Sequence, residues 1–189
     1  MKTMAKFPRF PLRFVVAACL LAALGSCQRR PSAPDLRDSK VYQSRPEGFR
    51  FLVPDGWVQT ASAALPPGEL EGQSFLVKYR INSPEPGARL QIECMADQAN
   101  LDLGQHHASP SYGVKRWQPS APPEDLQIHG ADAQRLVYSA DVEQRKMTKE
   151  VVCFRRRGRV YSFVGLCWSS DDKGRQQIRR AVESTIWDR

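Results

Sequence analysis

The sequence lacks most short signatures of catalysis and metal binding. It holds three histidines. His106 and His107 are adjacent and His129 is remote, with no Cys, Asp or Glu at ligand spacing, so no metal centre is indicated. There is no C-x-x-C, which removes the thiol-redox and zinc-knuckle readings. There is no G-x-S-x-G nucleophile elbow, and no Ser–His pairing that a hydrolase would need. A glycine-rich phosphate loop is missing too, so no nucleotide cofactor is implied. Nor does the chain's leading apolar run, Phe14 to Leu24, reach the length of a membrane span. Its eleven residues cover roughly half of a hydrocarbon core about 30 Å thick.

That run has another meaning in context. Lys2, Lys6, Arg9 and Arg13 precede it with no acidic residue among them, giving the basic, apolar, small-residue order of a secretory signal over residues 1–26. The run stops at Leu24-Gly25-Ser26-Cys27, which resembles the lipobox of bacterial lipoproteins: an aliphatic residue, two small residues, then cysteine. The resemblance implies cleavage between Ser26 and Cys27 and a diacylglyceryl thioether on Cys27, with a further acyl chain on the freed amine. Two or more chains hold a protein stably on a membrane where one holds it marginally. Cleavage by the ordinary signal peptidase at Ala23-Leu24-Gly25 is the competing reading. Residue 28 is Gln and not Asp, which in the sorting pattern of such lipoproteins implies the outer membrane, facing the periplasm, if the host has two.

The formal charge of +8 shrinks once the signal is set aside. The four leading bases go with it, leaving 24 bases against 20 acids over 163 residues. A charge of that size does not call for nucleic acid, and 163 residues suit one domain with a real core. Of five cysteines, Cys19 lies in the signal and Cys27 at the lipid site. Cys94, Cys153 and Cys167 remain in a disulfide-permissive setting.

Residues 28 to about 45 are polar, hold prolines and show no apolar period, and read as a flexible tether following the lipidated Cys27. The globular domain is expected over 46–189. Phe49, Phe51 and Val53 alternate with Arg50 and Leu52 until Pro54-Asp55-Gly56 breaks the run. Period-two runs follow at Phe75–Ile81 and Leu90–Ala96, the second with Arg89, Gln91, Glu93 and Met95 on its other face. Leu126–Ile128 and Gln134–Val142 give one or two strands around Gly130. Val151–Cys167 reads as a central hairpin turning at Arg157-Gly158, which sets Cys153 opposite Ser162 and Cys167 on the other face. Those two thiols should not bridge, so a disulfide would have to use Cys94, and three buried free thiols are expected. Ser169–Asp172 offers helix caps, which explains the Asp171-Asp172 pair without chemistry. A helix from about Lys173 to Trp187 follows, with Ile178, Ala181, Val182 and Ile186 as its apolar stripe. Residues 100–107 suggest a short helix, and 109–125 a proline-rich loop.

The run Phe51-Leu52-Val53-Pro54-Asp55-Gly56-Trp57 resembles the F-x-x-P-x-G-W opening of PsbP-like domains. Gly130-Ala131-Asp132-Ala133 before a strand, a late hairpin through Gly158 and a terminal helix follow in a similar order. The resemblance spans residues 48–187. It implies an α+β fold, an antiparallel β-sheet flanked by helices in an α/β/α sandwich, with the C-terminal helix packed on the sheet. It supplies no active site, because such domains serve as extrinsic subunits or small binding proteins, and fold alone does not define function.

Two surface features stand out. Arg155, Arg156, Arg157 and Arg159 cluster at one turn and suit an anionic lipid or an acidic envelope protein; without interleaved aromatics, nucleic acid fits poorly. A solvated hairpin tip is the simpler reading. His106-His107 reads as a solvated loop, and Trp117 as a loop contact or core anchor. Together these describe a non-catalytic, membrane-tethered binding or assembly module. The alternative is a carrier holding an apolar or lipid-like ligand between sheet and helix. An enzyme would need convergent titratable groups, which the sequence does not display.

Overall fold

The computed structural model describes residues 40–65 and 70–188. The signal, Cys27 and the tether up to residue 39 lie outside the described residues. Eleven strands and two helices follow in the order β1 (Lys40–Ser44), β2 (Phe49–Val53), β3 (Val58–Ser62), β4 (Ser74–Arg80), β5 (Arg89–Ala96), α1 (Leu103–Ala108), β6 (Gln118–Pro119), β7 (Glu124–Ile128), β8 (Ala131–Val142), β9 (Arg145–Arg156), β10 (Arg159–Trp168), α2 (Asp172–Glu183) and β11 (Ile186–Trp187). The main sheet runs β3-β4-β5-β10-β9-β8-β6, with β7 also on β8, and every pairing is antiparallel. The late hairpin, β9–β10, is at its centre, as two apolar faces require.

Three tight turns build the meander. Arg157-Gly158, His129-Gly130 and Glu143-Gln144 all have positive φ at both positions, the geometry whose twist matches the flanking strands. Glu143-Gln144 manages this without glycine, so the sequence there gives no turn signal, and β8 and β9 each run to twelve residues.

One face of the main sheet carries α2 and a small sheet of order β1-β2-β11. Phe49, Phe51, Tyr79, Phe163 and Trp57 pack there with Ile178, Ala181 and Val182 of α2. Helix and sheet meet without slack: a methyl at Gly165 would lie 2.5 Å from Ile178 Cγ2. Gly56, at φ +79°, turns the chain so that the Trp57 indole enters this core. The other face is covered by α1 and the 109–117 loop, over Val151, Val160, Val164, Leu136 and Tyr138. Trp117 is fully buried there and donates from Nε1 to Ser111 Oγ at 3.0 Å, so it is a core anchor.

Two expected boundaries move. Residues 40–44 are not tether but β1, paired with β2 from Lys40↔Val53 to Ser44↔Phe49. Their apolar alternation is weak because Tyr42 is the one large apolar side chain of β1 that packs against the core, and Ser44, the other inward residue, is polar. The terminal helix ends at Glu183 and not near Trp187. Thr185 is buried, and Ile186-Trp187 leave the helical path to pair with Arg50 and Phe49 of β2. Backbone hydrogen bonds to an open strand edge, and burial of the Trp187 indole against Phe49, Phe154 and Tyr161, outweigh one more helical turn. At the other end, Asp171 caps the helix, accepting from Gly174 N at 2.9 Å. Cys94, Cys153 and Cys167 are free and buried. Cys153 faces Ser162 across the hairpin, and Cys167 packs on the opposite side of the sheet.

Candidate functional site

The hairpin arginines do not form one cationic tip. Strand alternation sends Arg155 to one face, where it pairs with Asp97 and donates to the Leu101 carbonyl at 3.3 Å. Arg156 lies on the other face, its guanidinium 5.3 Å above the Trp187 ring. Arg159 is bound to Glu47 at 3.1 Å. Arg157 is exposed in the turn itself. Cys27 and Ser26 lie outside the described residues.

The structure instead brings polar side chains from four segments together on the face under α1. Register places Glu93 of β5 opposite Ser162 of β10, and Ser162 opposite Cys153 of β9. His107 descends onto them from α1. Its Nε2 lies 3.1 Å from Ser162 Oγ and 3.6 Å from Cys153 Sγ. The expected solvated loop at 106–107 is therefore a helix that buries His107 to 5% exposure. Sequence alone missed this because two adjacent histidines cannot share a face, and only packing decides which one turns inward. Burial, the neighbouring His106 and Lys149 together push His107 down to about 3. Burial, opposed by a hydrogen bond from Ser162, pushes the Cys153 thiol up to about 11.

Lys149 of β9 is 1% exposed. It donates to the His107 carbonyl and, at 3.2 Å, to Ser111 Oγ. Its ammonium lies 4.5 Å from the Trp117 ring centre and 5.2 Å from that of Tyr138, so aromatic faces replace part of the lost water. Burial still dominates over the nearby Glu93 charge and lowers its pKa to about 7.

A groove of about 370 Å³ opens beside these groups, walled by Phe75, Gln91, Glu93, His106, Tyr112 and Lys149. Glu93 is nearly buried. It accepts from Tyr112 Oη at 2.6 Å, from Gln91 Nε2 at 2.5 Å and from Gln73, and burial with the Glu93 charge holds the Tyr112 phenol well above its usual range. A second concavity of about 440 Å³ continues along β4 and β5, sharing Gln91 and Tyr112 and adding Lys78, Arg80 and Arg89. The signal for this face was the polar side of β5, Arg89, Gln91 and Glu93, which alternation by itself presents as an ordinary solvated face.

Chemically, the buried quartet is poorly suited to turnover. A thiol at about 11 is not a nucleophile near neutrality, and His107 is a weak base whose Nε2 is enclosed by Ser162 and Cys153. The groove can hydrogen-bond and attract charge.

The fold places the chain in a structural class. The solution structure of cyanobacterial PsbP (CyanoP) from Synechocystis sp. PCC 6803 superposes with a TM-score of 0.57 at 18% identity, covering 88% of this chain and 99% of that one. LpqN, involved in cell envelope biogenesis of Mycobacterium tuberculosis, superposes with a TM-score of 0.50 at 14% identity over 80% of this chain and 93% of its own. No family model and no curated protein matches the sequence. The domain is a PsbP-like α+β fold, and at these identities the likeness is one of fold.

Proposed function

We propose that this chain is a lipid-anchored envelope protein whose PsbP-like domain binds a partner and transforms no substrate. The observation that carries the non-catalytic reading is the state of the buried quartet. The nucleophile, base and amine that an enzyme would expose are 1–5% exposed and spent on one another or on backbone. The anchor reading rests on Leu24-Gly25-Ser26-Cys27 closing an eleven-residue apolar run. Gln28 supports the outer membrane of a two-membrane host. The similarity to LpqN, described as involved in envelope biogenesis, supports the same setting. Among the described residues no helix is long and apolar enough to cross a membrane. The ligand-carrier alternative loses its support, because the layer between sheet and α2 is filled at Gly165 and Ile178.

Metabolic labelling with an alkynyl fatty acid tests the anchor. Cys27→Ala should abolish labelling, and unchanged labelling would remove it. A photo-crosslinker at position 78, on the open face of β4, should give adducts in intact cells that the same group at position 132 does not. Equal adducts at both positions would count against a defined binding face.

A further inference from the structure

Between β4 and β5 the main sheet presents an arrangement that strand pairing ordinarily avoids. Arg80 is the direct cross-strand partner of Arg89, and Lys78 is the partner of Gln91 one step further along the same face. Like charges set directly opposite each other destabilise an antiparallel pair. Among the described residues none of these three cations has a carboxylate within ion-pairing distance. Elsewhere the chain pairs its arginines readily: Arg135 and Arg179 share Glu150, Arg145 takes Glu85, and Arg155 takes Asp97. Other cations among the described residues without an ion pair, such as Arg50, Arg116, Arg157 and Arg180, are scattered, whereas Lys78, Arg80 and Arg89 line one concave face.

Two of the three side chains are held by aromatic rings. Lys78 Nζ lies 4.3 Å over Phe75, and the Arg89 guanidinium 5.1 Å over Tyr112. Such stacking fixes a cation while leaving its N–H groups available. Among the residues lining the two concavities the one carboxylate, Glu93, is engaged by Tyr112, Gln91 and Gln73, and Gln91 stands between it and Arg89 on β5.

From this geometry we infer that the β4–β5 concavity is a binding site for a soluble phosphate monoester. Two guanidinium forks and an ammonium match a dianionic group with three terminal oxygens better than a carboxylate with two. The space of about 440 Å³ exceeds a bare phosphate and lies in the range of small-molecule sites. The ester's organic part would extend past Gln91 and Tyr112 into the adjoining groove. A concave floor also fits a small solute better than a flat bilayer surface. The inference rests on the binding-module reading for its choice of face and is independent of the lipid anchor.

The test is calorimetric titration of the full chain, purified in neutral detergent at physiological ionic strength, with glycerol 1-phosphate. Inorganic phosphate and glycerol serve as part-ligands. Saturable binding is expected for glycerol 1-phosphate and none for glycerol. The double substitution Arg80→Gln, Arg89→Gln should weaken it at least 10-fold. Because the opposed charges repel when no ligand is present, Arg80→Gln alone should raise Tm slightly while weakening binding, which separates lost affinity from lost folding. Three results would overturn the inference: no binding of glycerol 1-phosphate, equal binding by the double variant, or binding only to nanodiscs containing phosphatidic acid. The last would make the face a headgroup contact. Fatty-acid labelling at Cys27 would be unaffected by any of them, so the two readings fail separately.

Discussion

Lys149 provides the sharpest physical prediction. It is charged in the unfolded chain up to pH 10.5, but burial lowers its folded pKa to about 7. Between those values the unfolded state binds more protons than the folded one, so stability rises with pH across the window. For these two pKa values the free energy of unfolding increases by about 3 kcal/mol from about pH 6 to about pH 9.5, and by about 2 once water in the open groove screens part of the charge. The facing groups stay in one protonation state in the folded protein over that range, but His107 and Cys153 titrate near 6.5 and 9.0 when unfolded, so the contribution of Lys149 is read as the difference between the wild-type and Lys149→Met profiles. His107 is held down at about 3, Tyr138 is raised to about 12, the Cys153 thiol to about 11, and the Tyr112 phenol is raised as well. Lys149→Met should therefore flatten the rise. Its cost should be about 1–2 kcal/mol near pH 9.5, where the His107 carbonyl and Ser111 lose a neutral donor, and should shrink or reverse toward pH 6, where wild type carries the buried charge. Urea unfolding followed by tryptophan fluorescence at intervals of half a pH unit measures both profiles. If the wild-type and Lys149→Met curves run parallel to within about 0.5 kcal/mol, Lys149 titrates like a solvated amine and the account of its burial is wrong.

Two further outcomes follow from the same layers. His107, ordinarily protonating near 6.5, is held down to about 3, so stability should be lost as pH falls below 6.5, by about 2–3 kcal/mol between about pH 7 and about pH 4.5. His107→Gln should remove that acid slope, and an unchanged slope would place the titration elsewhere. Gly165→Ala should lower stability by about 1–3 kcal/mol, because its methyl would sit 2.5 Å from Ile178 Cγ2. Thermal unfolding that is unchanged would mean the sheet–helix layer has slack, reopening the space a carrier needs.

Much of the architecture was legible in the residues. Period-two alternation marks β2, β4 and β5, a doubly apolar run marks the central β9–β10 hairpin, and Arg157-Gly158 marks its turn. Asp171 identifies the start of α2. Elements whose stability comes from their neighbours were not legible. β1 and β11 exist because β2 offers two open edges, and β6 is two residues long. The Glu143-Gln144 turn carries no glycine, so the length of β8 and β9 depends on their pairing with each other.

The groove falls on the same divide. That β5 alternates Arg89, Gln91 and Glu93 with buried neighbours is a property of the sequence, since side chains point to opposite faces every other residue. Sequence also determined the export-like segment and the lipobox-like Cys27, because those features are read linearly. Whether a polar strand face is solvated, buried or built into a site depends on what covers it. Only tertiary structure laid α1 and Tyr112 over one half, sinking His107 and Lys149, and left the Arg80–Arg89 half open. Non-local packing also sent Arg155, Arg156 and Arg159 to separate partners and left Arg157 exposed in the turn, dispersing the cluster that was most conspicuous along the chain and gathering another from β4 and β5.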